Sequence, residues 1–135
     1  MDPGRLDGLP LFEALSKKDR AQVAMWADEV DVGSGIELAS EGSYAHEFFV
    51  IEAGTAQVTR HGQPIAELGP GDFFGEIALL GSDHHRTATV TASTPMQLVV
   101  MFQTEFRTMA ERMPHVADQL REAIRARWEA DQLRG

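Results

Sequence analysis

Apolar residues in the first thirty positions recur with a helical period. Leu9, Leu11, Phe12 and Leu15 surround Pro10, and Val23, Trp26, Ala27 and Val30 follow a polar stretch that opens at Ser16. Ser16 directly precedes that run and Asp19 lies three residues on, which is the signature of a capped helix start. The spacing predicts a turn near 10–14 and a helix near 17–28, with Trp26 in the core. From Val30 to Met101 the texture changes. Glycines at 33, 35, 42, 54, 62, 69, 71, 75 and 81 punctuate β-prone runs at 36–39, 47–52, 56–60, 65–68, 87–92 and 96–102. Short strands between closely spaced turns predict a sandwich or barrel. Glu52–Thr55 and Arg60–Gln63 read as hairpin turns, and Leu68–Asp72 as a tight turn. After Phe102 the strand pattern stops. Thr104 and Glu105 open a short helix through about Glu111 with Phe106 and Met109 inward, and Pro114 restarts the chain. Val116, Leu120, Ile124 and Trp128 then share one face of a terminal helix of about four turns. That face either docks on a core or serves as a lid.

Within the β-rich region, Phe73 to Val90 carries candidate chemistry. Phe73 and Phe74 are apolar anchors, and Gly75 has no Cβ to obstruct a close approach to the backbone. Glu76 to Leu80, including Ile77 and Ala78, is long enough for about one helical turn. A helix start offers unpaired N–H groups and a positive dipole end to a phosphate. Gly81 and Ser82 break the run, and Arg86 precedes the alternating Thr87-Ala88-Thr89-Val90. A guanidinium there presents a planar fork to two phosphate oxygens. Glu76 repels phosphate but accepts hydrogen bonds from sugar hydroxyls. Together they describe a sugar-phosphate site.

Composition narrows the partners. The chain has 135 residues and a formal net charge of −9. That balance argues against nucleic acid, whose affinity rests on Lys and Arg, and against anionic membrane surfaces. A small phosphate ligand is still allowed, since local donors decide its binding and distant charge is screened within about 8 Å at physiological salt. There are no cysteines, which excludes disulfides, thiolate metal sites and Cys nucleophiles. The start has no apolar signal region, and no run approaches the roughly 20 apolar residues of a membrane span. The expectation is a cytoplasmic protein, or a cytoplasmic piece of a longer one. His46, His61, His84, His85 and His115 are scattered, without the paired histidines and nearby Glu of a metal-binding jelly roll. No nucleophile-elbow pattern is visible, so no enzymatic activity is expected.

The order Phe-Gly-Glu-x-Ala-Leu-Leu, a loop, then Arg-x-Ala-Thr-Val resembles the phosphate-binding cassette of cyclic nucleotide-binding domains. Such domains occur in protein kinase A regulatory subunits, cyclic nucleotide-gated channels and bacterial catabolite activator proteins. Glu76 and Arg86 are ten positions apart, as in the catabolite activator type, and His85 stands where many relatives have Pro. The resemblance spans roughly residues 9–128, with turn glycines at 35, 42, 54 and 71. It implies a mainly β fold: an eight-stranded antiparallel jelly-roll barrel with an N-terminal helix and a C-terminal lid helix. All of 1–135 would form one domain, with the barrel over about 30–102 and the C-terminal helices over about 104–131. Arg86 would pair with the cyclic phosphate, helped by backbone around Ile77 and Ala78 and by Thr87 and Ala88. Gly75 and Glu76 would hold the ribose 2′-hydroxyl. Arg127, thirteen residues after Pro114 as in a bacterial channel relative, would stack on the base, with Trp128 as core or dimer contact. The implied function is a cAMP-binding regulatory module whose ligand repositions the last helix. Thr87 beside Arg86 keeps cGMP open. A metal-dependent cupin-like enzyme and a ligand-free interaction scaffold are the alternatives from other classes. No helix-turn-helix follows the lid helix. A homodimer, or an effector domain in a longer protein, is compatible with the resemblance.

Overall fold

Ser16 caps the first helix as its position suggests. Its Oγ accepts the Asp19 N–H at 3.1 Å and opens α1, Lys17–Trp26, after single 3-10 turns at Pro3–Leu6 and Pro10–Ala14. The structure is a computed structural model that describes residues 1–79 and 85–134, except the side chains of Ile77 and of residues 127–134. The chain divides into two compact units, one made of Met1–Ala27 with the segment from Thr104 onward, the other of Asp28–Gln103.

In the first unit, Leu6, Leu11, Phe12, Leu15, Val23 and Ala24 are buried. Arg20 staples this segment, donating from Nε to Asp7 Oδ1 at 2.9 Å and from Nη1 to the Leu15 carbonyl at 2.8 Å. Two helices complete the unit, α2 at Gln103–Arg112 and α3 at Pro114–Arg134. Phe106 and Met109 point inward as expected, and Val116, Leu120 and Ile124 are fully buried. Trp128, the next position on that face, has its side chain outside the described residues. With 21 residues α3 is longer than expected, because Trp128 is the last apolar anchor in the pattern and the polar residues beyond it are good helix formers. Arg112 lies over the Trp26 ring at 5.6 Å and Arg121 over Phe106 at 4.9 Å, within cation–π range. No helix among the described residues is long and apolar enough to cross a membrane.

The second unit begins with a correction. Val30 does not continue α1. The helix ends at Trp26, Ala27 is extended, and Asp28–Val32 forms strand β1. Val30 and Val32 alternate with acids over five residues, so a short period of two prevails over the longer helical reading. The remaining strands are β2 (Glu37–Ala39), β3 (Glu47–Ala53), β4 (Ala56–Arg60), β5 (Gln63–Leu68), β6 (Phe73–Phe74), β7 (Thr89–Ala92) and β8 (Met96–Phe102). They pair antiparallel in two four-stranded sheets, ordered β1-β8-β3-β6 and β2-β7-β4-β5. Both sheets contribute to one core, including Phe49, Ile51, Phe74, Leu98 and Val100 from the first and Ala39, Ala56, Val90 and Ala92 from the second. Among the described residues no ladder joins one sheet to the other. Strands β3 and β8 also bury Phe48, Val50, Val99 and Met101, so each reads as a continuous apolar run rather than an alternating one.

The two expected hairpins part company. Arg60–Gln63 is one: His61 and Gly62 both have positive φ, 52° and 76°, the backbone of a type I′ turn between β4 and β5. Glu52–Thr55 is not, because β3 and β4 belong to different sheets. The chain crosses between sheets there, and Gly54 makes the crossing possible. A Cβ at 54 would overlap the Pro95 carbonyl oxygen and lie 2.8 Å from Met96 Cγ, at a φ of +90°.

Candidate functional site

The cassette starts from β6, two residues paired to the middle of β3. Phe74 lies opposite Phe49, and their rings stack at 4.6 Å between centroids. The Gly69–Asp72 turn leads into β6, closed by Asp72 N–H to the Gly69 carbonyl at 3.0 Å and by Gly69 N–H to Asp72 Oδ2 at 2.8 Å. Gly75 then takes a left-handed conformation, φ 79° and ψ 19°, and caps a three-residue 3-10 turn at Glu76–Ala78. This departs from the expected helical start. Three residues close only i to i+3 bonds, and Ala78 N–H donates to the Gly75 carbonyl at 3.0 Å. That donor is therefore used within the turn, and so short an element carries little macrodipole. Ala78 itself is buried.

Arg86 is placed by its main chain. Its N–H donates to the Ser43 carbonyl at 2.7 Å, and its carbonyl accepts the Gly42 N–H at 2.9 Å. One residue earlier, His85 bridges to Tyr44, and their rings lie 4.4 Å apart. The Arg86 side chain turns inward and the residue is only 8% exposed, the one charged residue in the buried class among the described residues. Nη2 donates to the Glu47 carbonyl at 2.8 Å. Nη1 is also buried and meets no hydrogen-bond partner among the described residues. The Arg86 pKa lies below its ordinary value: burial pushes it down, and the carboxylates of Glu47 and Glu76 offset that only in part.

Gly75 and Arg86, far apart in the chain, meet at this point. A Cβ on Gly75 would stand 2.5 Å from Arg86 Nη1 and 2.6 Å from the Glu47 carbonyl oxygen, so only glycine leaves room for the guanidinium. Gly75, Glu76 and Arg86 thus belong to one cluster, to which the fold adds Glu47. Thr87 is exposed and Ala88 half-buried, both next to Arg86 at the head of β7. The Ile77 side chain lies outside the described residues. Arg127 lies on α3, in the other unit, and its side chain too is outside them. Among the described residues no group of three His, Asp or Glu is arranged to hold a metal ion, and His84 lies outside those residues.

Sequence reasoning missed the contributions of Gly42, Ser43 and Glu47. Their hydrogen bonds to Arg86 run through main-chain groups, which carry no mark of the side chain, so no sequence signal points to those bonds, and the Glu47 carboxylate acts on Arg86 electrostatically besides. Arg60 is expected as a strand end and turn residue, and beyond that its Nε donates to the Thr87 carbonyl at 3.1 Å.

Chemically the cluster is a buried cation with one arm satisfied and the other without a hydrogen-bond partner among the described residues. A buried charge without full pairing is costly, and a two-oxygen anion would repair it.

Comparison with known proteins points the same way. The profile of the cyclic nucleotide-binding domain matches residues 29–113. Over 105 residues the chain is 36% identical to a cAMP-dependent protein kinase regulatory subunit of Eremothecium gossypii, covering 77% of this chain and 23% of that protein. Over 113 residues it is 30% identical to a cyclic nucleotide-gated potassium channel of Rhizobium etli, covering 84% of this chain and 31% of the channel. A crystal structure from Geobacter metallireducens GS-15, 22% identical, shares the fold with a TM-score of 0.84 over 96% of this chain and 97% of that one. The chain spans less than a third of the length of those two curated relatives.

Proposed function

Since the chain belongs to the cyclic nucleotide-binding domain family, we propose that it is a regulatory module that binds cAMP at Arg86 and does no chemistry on it. The observation that carries this reading is the buried Nη1 of Arg86, without a hydrogen-bond partner among the described residues, beside a glycine that cannot be larger. In this reading the cyclic phosphate takes Nη1 and the Thr87–Ala88 backbone. Glu76, half-buried at the start of the 3-10 turn with Gly75, accepts from the ribose 2′-hydroxyl. Arg127 on α3 stacks on the base. The kinase regulatory relative is cAMP-dependent by name, which favours adenine over guanine, and Thr87 offers a hydroxyl that a guanine amino group could use.

Signalling then requires α3 to have two positions for which the ligand has different affinity, because a ligand shifts an equilibrium only by that difference. The output would lie in the rest of a longer protein or in a second copy of this chain.

Removing one partner of a buried charge pair costs about 2–5 kcal/mol, or roughly 30-fold or more in affinity. Arg86→Ala is therefore expected to lose cAMP by at least that factor in a calorimetric titration while its far-ultraviolet circular dichroism is retained. Equal affinity in the variant, or no binding of either cyclic nucleotide by the parent chain, sinks the reading. Titrating cGMP in competition reports the base preference.

A further inference from the structure

Three consecutive peptide units around Arg86 are each tied to another part of the fold. The unit before it donates its N–H to Ser43, and the unit after it gives its carbonyl to Gly42. The third unit, between Thr87 and Ala88, gives its carbonyl to Arg60 Nε at 3.1 Å. The first two ties are main chain to main chain and survive most substitutions. The third is made by a side chain.

Arg60 is the last residue of β4, and its neighbour His61 grips the other flank of the cassette. His61 N–H donates to Glu41 Oε1 at 2.9 Å, its Nδ1 lies 3.1 Å from Glu41 Oε2, and Glu41 N–H donates to Thr89 Oγ1 at 3.0 Å. The tip of the β4–β5 hairpin therefore holds the 41–43 loop on one side and the 87–89 segment on the other. Peptide units are planar and trans, so a carbonyl and the following N–H point in opposite directions. Holding the Thr87 carbonyl toward Arg60 turns the Ala88 N–H away from Arg60. With the preceding unit already held by Gly42, both backbone torsions of Thr87 are then determined.

Resting on the cyclic-nucleotide reading, we infer that Arg60 is a positioning residue for the phosphate site. Its guanidinium touches backbone and acts through its N–H, not its charge. By holding the 87–88 peptide it presents the backbone beside Arg86 to the ligand already oriented, and the ligand does not have to order that segment on binding.

Two variants separate hydrogen bond from charge. In Arg60→Gln the amide nitrogen stands the same number of bonds from the backbone as Nε does in arginine, so a donor is kept and the charge removed. Arg60→Ala removes both. Calorimetry with cAMP is expected to show a loss of about fivefold for Arg60→Ala, the scale of one exposed hydrogen bond, and near-parental affinity for Arg60→Gln. Amide hydrogen exchange on the ligand-free chain is expected to quicken at Thr87 and Ala88 in Arg60→Ala alone. A Gln variant as weak as the Ala variant, with exchange unchanged, would mean that Arg60 acts by charge and overturns the inference. Unchanged affinity in both variants, in a parent chain that binds cAMP, also overturns it and leaves the Arg86 assignment standing. A parent chain that binds no cyclic nucleotide overturns both.

Discussion

At the scale of single residues, the site depends on space for one guanidinium. Arg86 enters a buried position because Gly75 has no side chain there and the Glu47 carbonyl takes one of its arms. Substituting Gly75 by Ala puts a methyl group onto Nη1 and forces a left-handed backbone on a residue that resists it. The strain of such a backbone is about 1–3 kcal/mol. Gly75→Ala is thus expected to lower the urea midpoint by that amount of stability and to bind cAMP no better than Arg86→Ala does. A variant that is destabilised but binds normally would show that Arg86 does not need that space. That Gly75, Glu76 and Arg86 come together was legible from the sequence because their residue types suit the chemistry proposed for them: a missing Cβ, a carboxylate, a planar fork of donors. Ser43 and Glu47 were not, because a carbonyl oxygen looks the same under any side chain.

At the scale of elements, local signals succeeded where capping and turn chemistry are specific. Ser16 was legible as a helix cap, and its Oγ bond to the Asp19 N–H is worth about 1 kcal/mol. Ser16→Ala is expected to lose that much in urea denaturation and to leave cAMP affinity unchanged, whereas Ser16→Asp is expected to keep the stability. The Arg60–Gln63 hairpin was legible too, since His-Gly is compatible with two positive φ values. The reading failed where two elements with similar local texture go to different partners. Glu52–Thr55 has the residues of a tight turn, but strand pairing is decided across the fold, and β3 takes β8 and β6 as neighbours rather than β4. Strand β6 is two residues long, too short for any period to show. Val30 fitted a helical spacing that extended past the true end of α1, and the acids around it, which alternate with Val30 and Val32, were the overlooked sign of β1.

At the scale of the whole molecule, the proposed anion-binding role is compatible with a net charge of −9 because screened electrostatics has a short range. In the proposed site a ligand would meet a desolvated cation with Glu47 and Glu76 close by, not the distant surface. The mainly β architecture was legible because many short runs between turns leave few alternatives. The assignment of each strand to its sheet was not, because six of the seven connections between consecutive strands among the described residues cross from one sheet to the other, and at Gly54 such a crossing leaves no room for a Cβ. A saturation library selected for folded protein is therefore expected to return glycine alone at position 54. At Gly8 and Gly33, where an added Cβ would meet nothing within 4 Å, the same selection should pass most residues. Genetic drift along this chain would then be free at bends such as those and arrested at Gly54, in one of the connections where the polypeptide changes sheets.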